Sequence, residues 1–252
     1  MTSVGARLQA LESRGLRRRL TRARGVDLSS NDYLGLASDP VVREALRGAL
    51  DEGGPHGSTG SRLLSGNDPR FEALESEFAA WQGREAALYF STGYAANVGM
   101  VSALVQAGDV VVSDALNHAS LVDGVRLSRG ERRIVPHLDL DAFAQAVSGS
   151  SPGQCWVLVE SVYSMDGDLA PLAELADLCD RAGANLVVDE AHATGLFGTN
   201  GAGRVSEAGL QHRVFATVHP CGKALGMSLT YAHLGSCRKE EHPLRQKGAG
   251  QR

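Results

Sequence analysis

The sequence predicts an α/β protein, a three-layer α/β/α arrangement around a mostly parallel sheet. Two observations carry this. Continuous apolar runs, among them VVV at 110–112, CWVLV at 155–159 and LVV at 186–188, are the kind that strands buried on both faces show, and they alternate with amphipathic helical stretches. The second is the chemistry placed just beyond two of these runs. Asp189 and His192 come directly after the run at 185–188, and Lys223 comes shortly after the run at 214–218, which brings a carboxylate, an imidazole and an amine to the carboxyl ends of strands. Open α/β sheets bind their ligands at that edge.

Taken in order, residues 1–24 form a basic, helix-compatible leader, densest from Arg14 to Arg19 with Arg22 and Arg24 beyond, and a solvated face is its plain reading. Residues 27–36 mix a short strand with turn residues. Asp39 and Pro40 start a helix over 41–50, aspartate as N-cap and proline at the first helical position. Segment 53–66 is too glycine-rich for regular structure, and its glycines lack dinucleotide-binding spacing. A helix at 68–81 puts Phe71, Leu74, Phe78 and Trp81 on one face, with Asp68 as cap and Gly83 as stop. A strand at 86–90 turns through STGYAAN (91–97) into a long helix, and such a helix start offers free N–H groups and the helix dipole to an anion. Next come a strand at 109–113, a helix opening at 114–120, a strand at 133–138, a helix about 141–147 and a loop at 148–153. A strand at 155–160, a loop at 161–168 and a helix at 171–182 with Leu172, Leu175 and Cys179 inward and Gly183 as stop lead to the strand at Asn185.

At 252 residues the chain can bury a large core in one or two domains. A net charge of −4 gives no electrostatic case for nucleic acid or membrane partners. The first residues lack an apolar signal segment and no run reaches membrane-span length, so a cytoplasmic location is expected. Cys155, Cys179, Cys221 and Cys237 lack metal-type pairing, and no metal is expected.

The trio at the sheet edge has a chemical use. A lysine amine forms a Schiff base with an aldehyde, and a buried aspartate facing a ring nitrogen keeps a pyridinium protonated, which makes the ring an electron sink. A helix-capping Asp189 and a solvated Lys223 are the plain alternative and carry equal weight for the two motifs taken separately.

Five motifs add to this, in order along the chain: SNDYLGL (30–36), HASL (118–121), SMDGD (164–168), VDEAHATG (188–195) and GKALG (222–226). With them the sequence resembles the α-oxoamine synthase family of fold-type I pyridoxal-phosphate enzymes over residues 15–226. The resemblance implies a cofactor-binding large domain at 51–226 after an N-terminal helical or extended segment at 1–50. It implies a homodimer with active sites at the subunit boundary, segment 53–66 lying near them. Pyridoxal 5'-phosphate would be the cofactor. Lys223 would hold it and act as base, Asp189 would face its ring nitrogen, His192 its ring hydroxyl and Ser164 its side, while His118 stacks on the ring and Gly93 and Tyr94 lie by its phosphate. Arg17 and His118 would contact substrate. The implied reaction is a decarboxylative condensation of an amino acid with a thioester on CoA or a carrier protein. The run at 189–195 leans toward L-alanine and a pimeloyl thioester, as in biotin biosynthesis. Other members, glycine C-acetyltransferase, 5-aminolevulinate synthase and serine palmitoyltransferase, share most motifs. An inactive fragment or partner subunit is a second class, and a nucleotide-binding module a third.

Two departures from the family pattern stand out. Pro220 occupies the place of a threonine whose hydroxyl helps to hold the cofactor phosphate, and it offers neither hydroxyl nor N–H. Residues 227–252 do not match the family's C-terminal domain. They are polar and read as disordered, which points to a truncated or frame-shifted product with a sheet missing an internal strand and little or no turnover.

Overall fold

The computed structural model describes residues 3–20, 22, 25–149 and 152–234. The chain divides into two compact units, one up to Asn31 and one from Asp32 onward.

In the first unit helix α1 (Val4–Ser13) is capped by the Ser3 hydroxyl, which accepts the Ala6 N–H at 3.2 Å. It stops before the densest basic stretch, because Gly15 takes φ +66° and its N–H and that of Leu16 turn back onto the Glu12 and Leu11 carbonyls, at 3.0 and 2.8 Å. The run from Arg14 to Arg19 therefore lies beyond the helix. The strand expected within 27–36 does not form. Asp27 accepts both the N–H and the hydroxyl of Ser29, at 2.9 and 2.7 Å, and bends the backbone into a turn. In the second unit Gly35, at φ +70°, closes another turn onto Asp32, and a short 3-10 helix runs over Leu36–Ser38.

Among the described residues seven further α-helices follow: α2 (Pro40–Asp51), α3 (Pro69–Trp81), α4 (Gly93–Leu104), α5 (Ala119–Leu127), α6 (Leu140–Val147), α7 (Leu172–Ala182) and the single turn α8 (Arg204–Glu207), with a second short 3-10 helix over Thr199–Gly201. The strands are β1 (Ala86–Phe90), β2 (Val110–Asp114), β3 (Glu131–Val135), β4 (Cys155–Glu160), β5 (Asn185–Asp189), β6 (Ala216–Pro220) and β7 (Thr230–Leu234). They form one sheet in the order β1-β7-β6-β5-β4-β2-β3, parallel from β6 through β3.

Alternate residues of the central strands feed two cores, one on each face. Val110 and Val112, Val157 and Val159, and Leu186 and Val188 pack with Phe143 of α6 and Leu175 of α7. Val111, Trp156 and Leu158, and Val187 pack with Met100 and Val101 of α4 and Leu121 of α5. Each fully buried side chain of this kind contributes about 1.5–3 kcal/mol, which is why these strands read as unbroken apolar runs.

The strand expected at 214–218 lies two residues later, at Ala216–Pro220, and two further strands differ from expectation. The strand expected at 133–138 lies at Glu131–Val135. Pro136 has no N–H to continue the ladder, and Leu138, at φ +53°, gives its N–H to the Asp114 carboxylate at 2.9 Å. More consequentially, Thr230–Leu234, expected to be part of an unstructured tail, forms β7, an interior strand antiparallel to both β1 and β6. The sheet therefore has its internal strand. Residues 235–252, including Cys237, lie outside the described residues, as does Arg24.

Segment 53–66 is irregular, as its glycines suggest, and is tied down by Arg62. Its guanidinium makes a two-pronged ion pair with Glu75 of α3, at 2.5 and 3.0 Å, while Glu75 also accepts the Tyr89 N–H of β1 at 2.7 Å. Among the described residues, no helix is long and apolar enough to cross a membrane.

Candidate active site

Acidic residues close three adjacent strands at their carboxyl ends: Asp114 on β2, Glu160 on β4 and Asp189 on β5, the last two in register. All three are buried. Asp189 is held from both sides. Its Oδ1 accepts the Ala191 N–H at 2.8 Å and its Oδ2 accepts the Asn97 amide of α4 at 2.6 Å.

The turn after β5 carries His192. Burial, with smaller effects of the Lys223 and His118 charges, pulls its pKa down to about 4, so the imidazole is neutral near neutral pH. Its Nε2 stands 2.7 Å from Lys223 Nζ and its Nδ1 2.8 Å from the Tyr33 hydroxyl. With Lys223 donating to Nε2, the ring proton sits on Nδ1 and is donated to the tyrosine oxygen.

Lys223 lies in the hairpin that joins β6 to β7, pinned by the Gly226 N–H to the Lys223 carbonyl at 3.0 Å and the Cys221 N–H to the Leu229 carbonyl at 2.8 Å. Burial lowers its pKa, and the carboxylates of Asp189 and Glu160 partly restore it. The amine is thus poised to lose its proton without being isolated from negative charge.

His118 is the N-cap of α5. Its backbone N–H donates to Glu160 Oε1 at 2.6 Å, and its ring Nδ1 accepts the Ser120 N–H at 3.2 Å and lies 2.7 Å from the Ser120 hydroxyl. Nδ1 is therefore the acceptor and Nε2 carries the proton. Ser120 Oγ in turn accepts from the Asn97 amide at 2.9 Å, so one chain of contacts runs from His118 through Ser120 and Asn97 to Asp189.

Gly93 opens α4, with Thr92 as N-cap accepting the Ala95 N–H at 3.1 Å. A Cβ on Gly93 would sit 2.6 Å from the Pro220 ring, so only glycine allows the helix start to meet the end of β6 this closely.

Of the residues singled out in the sequence, Lys223, His192, Asp189 and His118 share this network, and Gly93 borders it through Pro220. Tyr94 is half exposed, its hydroxyl donating to Asp123 of α5 at 2.6 Å. Ser164 is exposed in the turn closed by the Gly167 N–H on the Tyr163 carbonyl and shares no hydrogen bond with Lys223 or Asp189. Arg17 belongs to the first unit, where it pairs with Glu12 at 2.7 Å. Tyr33, Asn97, Ser120 and Glu160 join the network without having been singled out. For Glu160 a signal was present, a charged residue ending an apolar strand run. A separate cavity of about 650 Å³ lies between α2, segment 53–66 and α3, lined by Leu46, Leu50, His56, Arg70 and Phe71 among others.

Known proteins are similar to this chain in sequence and fold. The family model described as aminotransferase class I and II matches residues 23–229. The 8-amino-7-oxononanoate synthase of Anaeromyxobacter sp. (strain K) is 49% identical over 236 residues, covering 88% of this chain and 59% of that protein. The enzyme of the same name from Azoarcus sp. (strain BH72) is 50% identical over 203 residues, covering 81% of this chain and 52% of that one. Among solved structures, Sphingomonas wittichii serine palmitoyltransferase superposes with a TM-score of 0.78 at 36% identity, covering 86% of this chain and 53% of that chain. The 8-amino-7-oxononanoate synthase of Francisella tularensis superposes with a TM-score of 0.69 at 28% identity, covering 84% and 58%. The chain thus spans little more than half the length of the relatives it matches.

Proposed function

Because the chain belongs to the class I and II aminotransferase family, we propose that it binds pyridoxal 5'-phosphate at Lys223 and carries the chemistry of the curated relatives it matches. That chemistry is the decarboxylative condensation of L-alanine with a pimeloyl thioester, on CoA or a carrier protein, to 8-amino-7-oxononanoate in biotin biosynthesis. The observation that carries this reading is the half-buried Lys223 amine, 2.7 Å from a neutral His192 and under the influence of Asp189.

The donor set fits the cofactor's ring. Asp189 is a buried carboxylate already braced by two donors, suited to a protonated ring nitrogen. Lys223 suits the aldehyde, His192 the ring hydroxyl and His118 the ring face. The phosphate end differs. The start of α4 at Gly93 offers backbone N–H groups, while Pro220 withholds a hydroxyl, so the phosphate would rest on the helix terminus more than on side chains. Tyr94 and Ser164 are assigned the phosphate end and the cofactor's side, and Arg17 the acyl substrate, on the family pattern alone.

Bound in this way, the cofactor supplies an electron sink for charge developing at the amino acid α-carbon. The residues do the rest. Asp189 would hold a proton on the cofactor's ring nitrogen, since a buried negative charge favours the protonated, charged form of a group beside it. Lys223 Nζ, its pKa lowered by burial, would take the α-proton as general base. His192 holds Nζ in place and is itself held by Tyr33. Keeping the amino acid and the thioester together in one site is much of the remaining benefit.

A homodimer in the cytoplasm is part of this reading. Supporting the dimer, α2 buries none of its residues, and Leu50, Leu63 and Leu64 are 62%, 95% and 86% exposed. Sedimentation of the purified chain checks it.

The cofactor claim is tested by reducing the chain with borohydride in the presence of pyridoxal phosphate and mapping the label by mass spectrometry. The expected result is a labelled Lys223 peptide that is absent in Lys223→Ala. Label elsewhere, or none, overturns it. CO2 release with L-alanine, glycine or L-serine and a panel of acyl thioesters then assigns the substrate pair. Serine palmitoyltransferase chemistry, favoured by the solved neighbour at TM-score 0.78, predicts release with L-serine instead.

A further inference from the structure

The site holds a second buried carboxyl group that the pyridoxal phosphate reading leaves without a task. Glu160 ends β4 in register with Asp189, is 2% exposed, and accepts the His118 backbone N–H at 2.6 Å. His118 is consequently gripped twice, its backbone by Glu160 and its ring by Ser120. The second grip sets the ring's rotation, and the first sets where the ring starts from.

We propose that Glu160 is a positioning residue for His118: its carboxylate fixes the backbone from which the imidazole reaches the cofactor ring. The role over the ring rests on the pyridoxal phosphate reading, whereas the grip on His118 does not.

A carboxylate is an expensive choice for this place. A backbone amide at the start of a helix could be capped by water or by a neutral side chain, and burying an acid there carries a desolvation cost that a neutral group would avoid. The surroundings show the opposing influences. Burial pushes the pKa of Glu160 up to about 7, as do the Asp189 and Asp114 charges from the neighbouring strands, while the His118 N–H and the Lys223 amine pull it back. Near neutral pH the group is divided between a strong charged acceptor and a weaker neutral one. Its grip on His118 therefore tightens as pH rises through about 7.

The first test needs no cofactor. Amide exchange at His118 in the unliganded chain should accelerate about tenfold or more in Glu160→Ala, which removes the acceptor, and by much less in Glu160→Gln, which keeps a neutral one. Amides of Leu175 and Leu186 should be unchanged in both. Protection of the His118 amide in the parent chain should climb across neutral pH, and this climb should be missing from Glu160→Gln, a variant that retains size and shape if the alanine variant fails to fold. With pyridoxal phosphate added, Glu160→Ala should bind about tenfold more weakly than Glu160→Gln. Equal His118 exchange in all three chains, or exchange protection flat across neutral pH in the parent, overturns the proposal. If the parent chain fails to take the cofactor, the proposed function falls, and exchange at His118 still decides the role of Glu160.

Discussion

Lys223 Nζ and His192 Nε2 lie 2.7 Å apart, and of the two the imidazole is the one that gives up its charge. Both are pushed toward neutrality by burial, but Lys223 alone has carboxylates, Asp189 and Glu160, acting in its favour. The remaining proton therefore belongs to the amine, and the amine can be made a base by removing negative charge from its surroundings.

This gives the first expectation. Acylation of Lys223 in the cofactor-free chain should show a titration below the usual lysine value of 10.5, because burial lowers it. Asp189→Asn should shift that titration lower still. Peptide mass spectrometry across a pH series reads both, and an upward shift in the variant would contradict the electrostatic account.

Pro220 stands at the end of β6 against Gly93, where a hydroxyl would help to hold an anion. Pro220→Thr should tighten pyridoxal phosphate binding about tenfold, the worth of one hydrogen bond to a charged group. An absorbance titration measures it. Gly93→Ala should do the reverse, since its methyl would strike the proline ring at 2.6 Å.

Buried histidines should shape acid stability. His233 is fully buried, stacked on Phe78 with ring centroids 5.8 Å apart, and its pKa is lowered to about 3 by burial and the Arg84 charge. An imidazole depressed in the folded state contributes stability that is complete above the unfolded value of 6.5 and is lost as pH falls toward 3. His219 and His192, also lowered, act in the same direction. Glu160 and Glu190, raised to about 7, act in the opposite one: their contribution is complete below the unfolded value of 4.5 and is lost as pH rises through about 7. Stability should therefore peak near the upper end of the mildly acidic range. Thermal melts of His233→Phe should show a flatter acid limb than the parent chain, and an unchanged limb would exclude His233 as its source.

Glu75 links three elements by accepting from Arg62 and from the Tyr89 N–H. Burial pushes its pKa up, but these two donors outweigh it and the net shift is downward. Glu75→Ala should cost about 2 kcal/mol or more in a urea melt, because Arg62 and the amide lose their acceptor together. Arg62→Ala, which spares the Tyr89 contact, should cost less.

Much of this architecture could be read in the sequence because the signals were local. The apolar runs that became β1, β2, β4 and β5, the Asp68 and Asp39 caps and the Gly183 stop each concern residues a few positions apart. So did Asp189 and Lys223, each just beyond a strand. What escaped depends on partners far away in the chain. Thr230–Leu234 (TYAHL) has neither a clean alternation nor an unbroken apolar run to announce a strand, and it becomes one because β1 and β6 offer it a ladder on both sides. Tyr33 lay within a quoted motif, but its tie to His192 spans 159 positions. Glu160 looked like the polar end of a strand until His118, 42 residues earlier, was brought against it.

The position of β7 also dictates a schedule. Among the described strands β1 comes first in the chain and β7 last, yet β7 is the neighbour through which β1 enters the sheet. Until residue 234 has emerged, β1 and β6 both present bare backbone edges, and the nascent domain must wait with two unsealed seams that invite pairing with other chains. Closure is therefore a long-range event, and a chaperone that shields strand edges during synthesis would act before it rather than after.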